Sequence, residues 1–140
     1  MKRAVKASIP VSGRYLLDTN IVIGLLNGED SILKAVAEAS EVFVPVVVVG
    51  ELYFGAAKSG RPEANRSLIE KFIEGRVVLP CDLAVAREYG RLKNELRGQG
   101  TPLPENDIWI GAIAVRHSLT LASRDQHFRE IGGLVVAGWG

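Results

Sequence analysis

Cysteine is nearly absent from this chain, and histidine is rare. Cys81 is the single cysteine among 140 residues, so an internal disulfide framework is excluded. With one thiol and no catalytic motif around it, a thiol nucleophile is not favoured, and a reducing cytoplasmic setting is predicted. The two histidines, His117 and His127, belong to neither an HExxH nor a paired-cysteine pattern, which argues against a zinc site.

Long hydrophobic runs are also missing. The longest apolar stretches, such as residues 42–49, are far too short to span a bilayer, so no membrane association is predicted. The first residues are basic, but Ser8, Pro10 and Gly13 interrupt the apolar stretch that a signal peptide would need. We therefore expect residues 1–13 to form a flexible basic leader and residues 14–140 to form a single domain.

Charge of either sign is not in excess, because the formal net charge is only +1. Hydrophobic residues make up 47% of the chain and charged residues 24%, a balance that argues against disorder. The basic residues concentrate in segments 58–76, 87–97 and 116–129. A basic rim around an acidic pocket would suit a polyanionic substrate, although solvated helix faces explain the same residues equally well.

Short β-branched runs alternate with longer helical patterns, which predicts an α/β fold with a parallel sheet and crossover helices. Strands are predicted at 15–17, 41–44, 77–79, 120–122 and 134–136. Helices are predicted at 21–26, 31–39, 45–58, 63–74, 82–97 and 107–117, with Ser31 capping the second. The valines at 46–49 leave a strand as the competing prediction for the start of the third helix.

Four acidic residues lie where a strand or loop gives way to a helix, each beside apolar residues: Asp18, Glu51, Asp107 and Asp125. Ligands of parallel sheets bind at the carboxyl ends of the strands, so the acids converge if the first and fourth strands are neighbours. Taken singly, each acid is explained as a helix cap or a solvated side chain. Together in one cleft they would need a hard divalent cation, which points to phosphate chemistry.

The motifs around these acids resemble those of a PIN domain. They are Leu17-Asp18-Thr19-Asn20-Ile21, Gly50-Glu51-Leu52, Asp107-Ile108 with Gly111-Ala112, and Ser123-Arg124-Asp125-Gln126-His127-Phe128. The short form and the ending at residues 125–128 look like the toxin of VapBC-type toxin–antitoxin pairs. The resemblance covers residues 15–136 and implies a PIN-like three-layer α/β/α fold whose central parallel sheet has about five short strands.

The resemblance also implies a Mg²⁺- or Mn²⁺-dependent endoribonuclease whose metal-site positions fall on the same four acids. Asp18, Asp107 and Asp125 are assigned to direct or water-mediated coordination, and Glu51 to coordination or to positioning of the attacking water. One metal ion could activate that water and a second could stabilise the leaving oxygen, and both stoichiometries stay open. One departure from related chains is that Pro45 and four valines stand where a Ser or Thr often begins the helix.

Five further residues are assigned supporting roles around the acids. Thr19, Asn20 and Ser123 match polar positions that would orient ligands or water. Arg124 is a candidate phosphate contact and His127 a candidate substrate contact, with an exposed turn and ordinary packing as the respective alternatives.

The function predicted from the sequence is therefore a metal-dependent endoribonuclease toxin. It would act on RNA as a homodimer and be neutralised by a cognate antitoxin protein. The alternatives are a PIN-type RNA-processing nuclease outside a toxin system, an aspartate phosphoacceptor and a non-catalytic binding module. Asn20 counts against a phosphatase of the Asp-x-Asp type, because it stands where the second acid should be.

Overall fold

A parallel sheet of five short strands forms the centre of the molecule in the computed structural model, which describes residues 13–139. The strands are β1 (Arg14–Leu17), β2 (Glu41–Pro45), β3 (Val77–Leu79), β4 (Thr120–Ala122) and β5 (Val136–Ala137). The helices are α1 (Thr19–Leu26), α2 (Asp30–Glu38), α3 (Val46–Ala57), α4 (Pro62–Ile73), α5 (Leu83–Gln99) and α6 (Glu105–Arg116). A 3-10 helix covers Gln126–Glu130. The leader predicted for residues 1–13 lies outside the described residues except for Gly13.

The strand order is β3-β2-β1-β4-β5, and every neighbouring pair is parallel. Tyr15 of β1 is in register with Val42 of β2 on one side and with Thr120 of β4 on the other. Strands β2 and β3 lie on one side of β1, and β4 and β5 lie on the other. This reversal of strand order creates a switch point at the carboxyl end of β1. This arrangement confirms the PIN-like α/β/α fold and the neighbouring first and fourth strands.

The valine run at 46–49 is helical, so the competing strand prediction is wrong. Val48, Leu52 and Ala56 recur at intervals of four residues and are buried on one face of α3. Burial of this helical stripe outweighs the β preference of the valines. Pro45 ends β2 and stands at the N-cap position, so its predicted place within the first helical turn is also wrong, by one residue.

Several predicted boundaries shift by one or two residues. The second helix begins at Asp30 with Glu29 at its N-cap position, so Ser31 does not cap it. The helix predicted to open at Asp107 begins at Glu105. The last strand is β5 rather than residues 134–136, because the backbone N–H of Leu134 instead donates to the carbonyl of Ile131 and closes a turn.

Helix α6 is the central helix that its apolar sequence predicted. Its buried residues are Ile108, Ile110, Gly111, Ala112, Ile113 and Ala114. A Cβ on Gly111 would lie 2.7 Å from Cδ1 of Ile131, so this glycine permits close packing. Gly50 and Gly55, by contrast, face open space. Despite the apolar character of α6, no helix within residues 13–139 is long and apolar enough to cross a membrane.

We expect Gly111→Ala to destabilise the protein by about 1 kcal/mol, because overpacking against fully buried Ile131 outweighs the gain in helix propensity. The matched control is Gly90→Ala in α5, where a Cβ meets nothing within 4 Å. That substitution should instead stabilise the protein by about 0.5–1 kcal/mol. Urea unfolding of both variants measures the difference, and stabilisation by both would show that Ile131 yields without cost.

Candidate functional site

Asp18 and Ser123 are the two buried polar residues in the described part of the chain, and they lie side by side at the switch point. Each directly follows its strand, and the last residues of β1 and β4, Leu17 and Ala122, are in register. The backbone N–H of Asp18 donates to the carbonyl of Ala122 at 3.0 Å. The hydroxyl of Ser123 donates to Oδ2 of Asp18 at 2.7 Å. Strand pairing therefore delivers both side chains to one point.

The four predicted acids influence one another through their charges. Burial raises the pKa of Asp18, and the nearby Asp107 and Asp125 raise it further, whereas hydrogen bonds from Ser123 and from the Thr19 backbone lower it. Burial also raises the pKa of Asp107, His127 lowers it, and Asp125 and Glu51 raise it. The structure thus places Asp107 and Asp125 near Asp18, and Glu51 near Asp107, at the edge of the sheet where β1 and β4 end.

Glu51 joins the segments that carry Asp18 and Asp107. It projects from α3, and its Oε1 accepts a hydrogen bond from the hydroxyl of Thr19. Its Oε2 accepts one from Nδ2 of Asn106 at 3.2 Å. Thr19 follows Asp18 in the chain and Asn106 precedes Asp107, so one carboxylate fixes the spacing between α1 and α6. Thr19 thus contacts one of the predicted acids, and its role in orienting ligands or water stays a prediction.

The loop after β4 is held by short polar contacts. The Ser123 hydroxyl, which binds Asp18, also accepts a hydrogen bond from the backbone N–H of Asp125 at 3.0 Å. The backbone N–H of Arg124 donates to Oδ1 of Asn20 at 3.2 Å. Asn20 and Ser123 thus both orient the loop that carries Asp125. The side chain of Asp125 makes no capping bond to the 3-10 helix, so its explanation as a cap is wrong.

The two candidate RNA contacts have partners within the protein. His127 Nε2 lies 2.8 Å from Oδ2 of Asp107. The guanidinium of Arg124 contacts Glu29 and the backbone carbonyl of Trp139. Contact of either side chain with RNA stays a prediction. Arg124 would have to break its ion pair with Glu29 in order to bind RNA.

The donor types in the cleft suit a hard cation. Burial and neighbouring negative charges raise the pKa values of Asp18 and Asp107. Added positive charge would stabilise the ionised form of both carboxyl groups. Within residues 13–139, no group of three or more His, Cys, Asp or Glu side chains is arranged so that it could hold a metal ion. Mg²⁺ usually takes only one or two carboxylates and keeps several waters, so a looser set of acids meets its requirement.

Two residues at the site were not singled out from the sequence. Asn106 reaches Glu51 across 55 positions, and its only sequence signal is its place before Asp107 in the first turn of α6. Glu29 reaches Arg124 across 95 positions and has no local signal. Asn106 and Glu29 both act through contacts with distant parts of the chain, which a local sequence motif does not predict.

Comparisons with known proteins agree with this geometry. The model of the PIN domain family, described as "PIN domain", matches residues 15–134. The chain is 35% identical over 129 residues to Ribonuclease VapC2 of Haemophilus influenzae, covering 90% of this chain and 98% of that protein. It is 30% identical to the tRNA(fMet)-specific endonuclease VapC of Shigella flexneri, again covering 90% and 98%.

Solved structures resemble the fold over nearly its full length. VapBC2 from Rickettsia felis, bound to a DNA fragment from its promoter, matches with a TM-score of 0.84 and 26% identity, covering 91% of this chain and 99% of that chain. VapBC-1 from nontypeable Haemophilus influenzae matches with a TM-score of 0.82 and 29% identity, covering 90% and 98%. With its family match, its relatives and its site geometry in agreement, this chain belongs to the PIN-domain family, in the VapC group.

Proposed function

We propose that the protein is a Mg²⁺-dependent endoribonuclease, with Mn²⁺ as an alternative ion, that hydrolyses RNA phosphodiester bonds. The observation that carries this proposal is the convergence of Asp18, Asp107 and Asp125, whose charges act on one another in a partly buried cleft. Named relatives with near-complete coverage are ribonucleases and a tRNA endonuclease, which supports RNA as the substrate.

Asp18, Asp107 and Asp125 would hold the metal ion directly or through water. Bound Mg²⁺ supplies positive charge beside the phosphate and lowers the pKa of water, so no histidine is required as the base. The Ser123 hydroxyl favours the ionised form of Asp18 by donating a hydrogen bond to it. His127 does the same for Asp107.

Glu51 would orient the attacking water or contribute to coordination. Its carboxylate accepts hydrogen bonds from Thr19 and Asn106, one at each oxygen. An ionised carboxylate offers about four lone-pair sites, so two remain for water or metal. Because both bonds come from residues adjacent to Asp18 and Asp107, Glu51 is held in a fixed position relative to them.

We further propose that the nuclease is a toxin restrained by an antitoxin protein. An apolar groove of about 310 Å³ runs beside the acids, and Thr19 and Glu51 line one part of it. Its other lining residues include Ile23, Leu26, Leu52, Leu68 and Ile69. A partner in this groove would lie against the site, and the similar solved structures are VapBC complexes. The homodimer and the cytoplasmic setting belong to the same proposal.

We expect Asp18→Asn and Asp107→Asn each to lower Mg²⁺-dependent RNA cleavage by at least about 100-fold, because each removes a ligand charge while keeping the side-chain shape. Glu105→Gln is the matched control. It removes an exposed acid that lies in the same helix as Asp107 but forms an ion pair with Lys93. Cleavage of labelled RNA with and without EDTA measures the effect. Wild-type rates in folded Asp variants would contradict the proposal.

The raised pKa of Asp107 makes a separate prediction for the metal-free protein. A carboxyl whose pKa rises on folding favours the folded state when protonated, and this advantage is lost as the pH rises through the raised pKa. At neutral pH the ionised group therefore costs stability. In EDTA at pH 7, Asp107→Asn should melt a few degrees above wild type, and the difference should shrink as the pH falls toward the ordinary carboxyl range.

Glu105→Gln again provides the control, because the hydrogen bond from Lys93 lowers the pKa of Glu105 rather than raising it. That variant should not melt above wild type at pH 7. Thermal melts monitored by circular dichroism test both variants. A clear destabilisation by Asp107→Asn in EDTA would argue against repulsion among the acids.

The antitoxin proposal predicts that Leu68→Glu weakens neutralisation without lowering RNA cleavage by the isolated protein. Leu68 is an exposed residue of the groove, and Val135, equally exposed beside β5, provides the matched control. The test co-expresses each variant with any small protein encoded beside this gene and measures growth. If no such neighbouring protein binds the chain, an RNA-processing role outside a toxin system is favoured.

A further inference from the structure

One ion pair connects the turn between α1 and α2 to the loop that carries Asp125. Nη2 of Arg124 lies 2.5 Å from Oε1 of Glu29, and Nη1 lies 3.4 Å from Oε2. Nε of Arg124 donates to the backbone carbonyl of Trp139 at 3.3 Å. All three guanidinium nitrogens therefore bind groups of the protein, which fixes the plane of the guanidinium.

The ion pair is packed against the backbone of α1 at Gly24. A Cβ on this buried glycine would lie 3.1 Å from Oε2 of Glu29 and 3.3 Å from Nη2 of Arg124. A methyl group would therefore crowd both partners of the pair. The absence of a side chain at position 24 lets the salt bridge approach the helix closely, as expected for a contact with a defined geometry rather than a chance surface encounter.

The backbone beside Arg124 belongs to the active-site loop. The preceding residue, Ser123, binds the carboxylate of Asp18, and the Arg124 N–H binds Asn20. The following residue, Asp125, is held by its N–H to the Ser123 hydroxyl. The guanidinium links this loop to the α1–α2 turn through Glu29.

We propose that Glu29 and Arg124 are positioning residues, whose ion pair holds residues 123–125 so that the Asp125 carboxylate faces Asp18. On this proposal the Arg124 side chain does not bind RNA. The inference rests on the proposed nuclease function for its catalytic readout, but the geometry of the loop can be tested without it. Because the pair is about one-third exposed on each side, its effect should be local rather than a large change in global stability.

The test compares Glu29→Ala, Arg124→Ala and the double variant, with Glu29→Gln as a conservative variant that keeps an acceptor oxygen. The control removes another surface ion pair, Arg14–Glu41, which lies at the opposite end of β1 from Asp18. Three quantities are measured: kcat in Mg²⁺, the Kd for unfractionated tRNA in an Asp107→Asn background, and hydrogen exchange at the Arg124 and Asp125 amides.

We expect both single variants to lower kcat by about 10–100-fold and the double variant to be no worse than either, because each breaks the same contact. Glu29→Gln should restore part of the rate. The Kd for tRNA should not change, and amide protection in the loop should fall by about tenfold or more in both single variants. The control variant should match wild type in all three measurements.

Two results would overturn the proposal. A weaker Kd for tRNA in Arg124→Ala, with Glu29→Ala unaffected, would make Arg124 an RNA contact instead. Unchanged amide exchange in folded Glu29→Ala would show that the ion pair does not hold the loop. The exchange experiment does not depend on nuclease activity, so it tests this inference separately from the nuclease proposal. Failure of the nuclease proposal would instead appear as inactive wild-type protein.

Discussion

Burial of the Asp18 carboxylate is the constraint on which the rest of the site depends. The residue follows the central strand of the sheet and is only 4% exposed, so its charge has little access to water. A buried charge is costly unless it is paired or hydrogen-bonded. The Ser123 hydroxyl and the Thr19 backbone lower that cost, but the charges of Asp107 and Asp125 increase it again. The cation of the proposed function would offset the part of this cost that the hydrogen bonds do not.

The neighbouring contacts follow from the need to hold several acids close to one another. Glu51 fixes Thr19 and Asn106, and His127 compensates part of the charge of Asp107. None of these contacts lies within one secondary-structure element. The site is therefore a property of how β1, β4, α3 and α6 assemble, and a shift of any of them would change the distances between carboxylates.

The fold was predictable wherever local pattern and tertiary burial agree. Residues 108–114 of helix α6 and 15–17 of strand β1 are apolar, and most of them are buried in the core. The valines at 46–49 illustrate a conflict, because their β preference yields to the buried stripe of α3. Asp18 and Asp125 carry a sequence signal because they follow strand ends, and Asp107 because it lies in the first turn of α6. Asn106 and Glu29 instead act through contacts between distant parts of the chain.

The contact between Asp18 and Ser123 spans 105 positions of sequence, and this has a consequence for synthesis on the ribosome. A parallel sheet whose central strand pairs with one made much later cannot close while the later strand is still inside the exit tunnel. Until residue 125 has emerged, Asp18 has neither its hydrogen-bond donor nor its acidic neighbour from the loop. A nascent chain is therefore without the complete set of acids until the segment after β4 has left the tunnel.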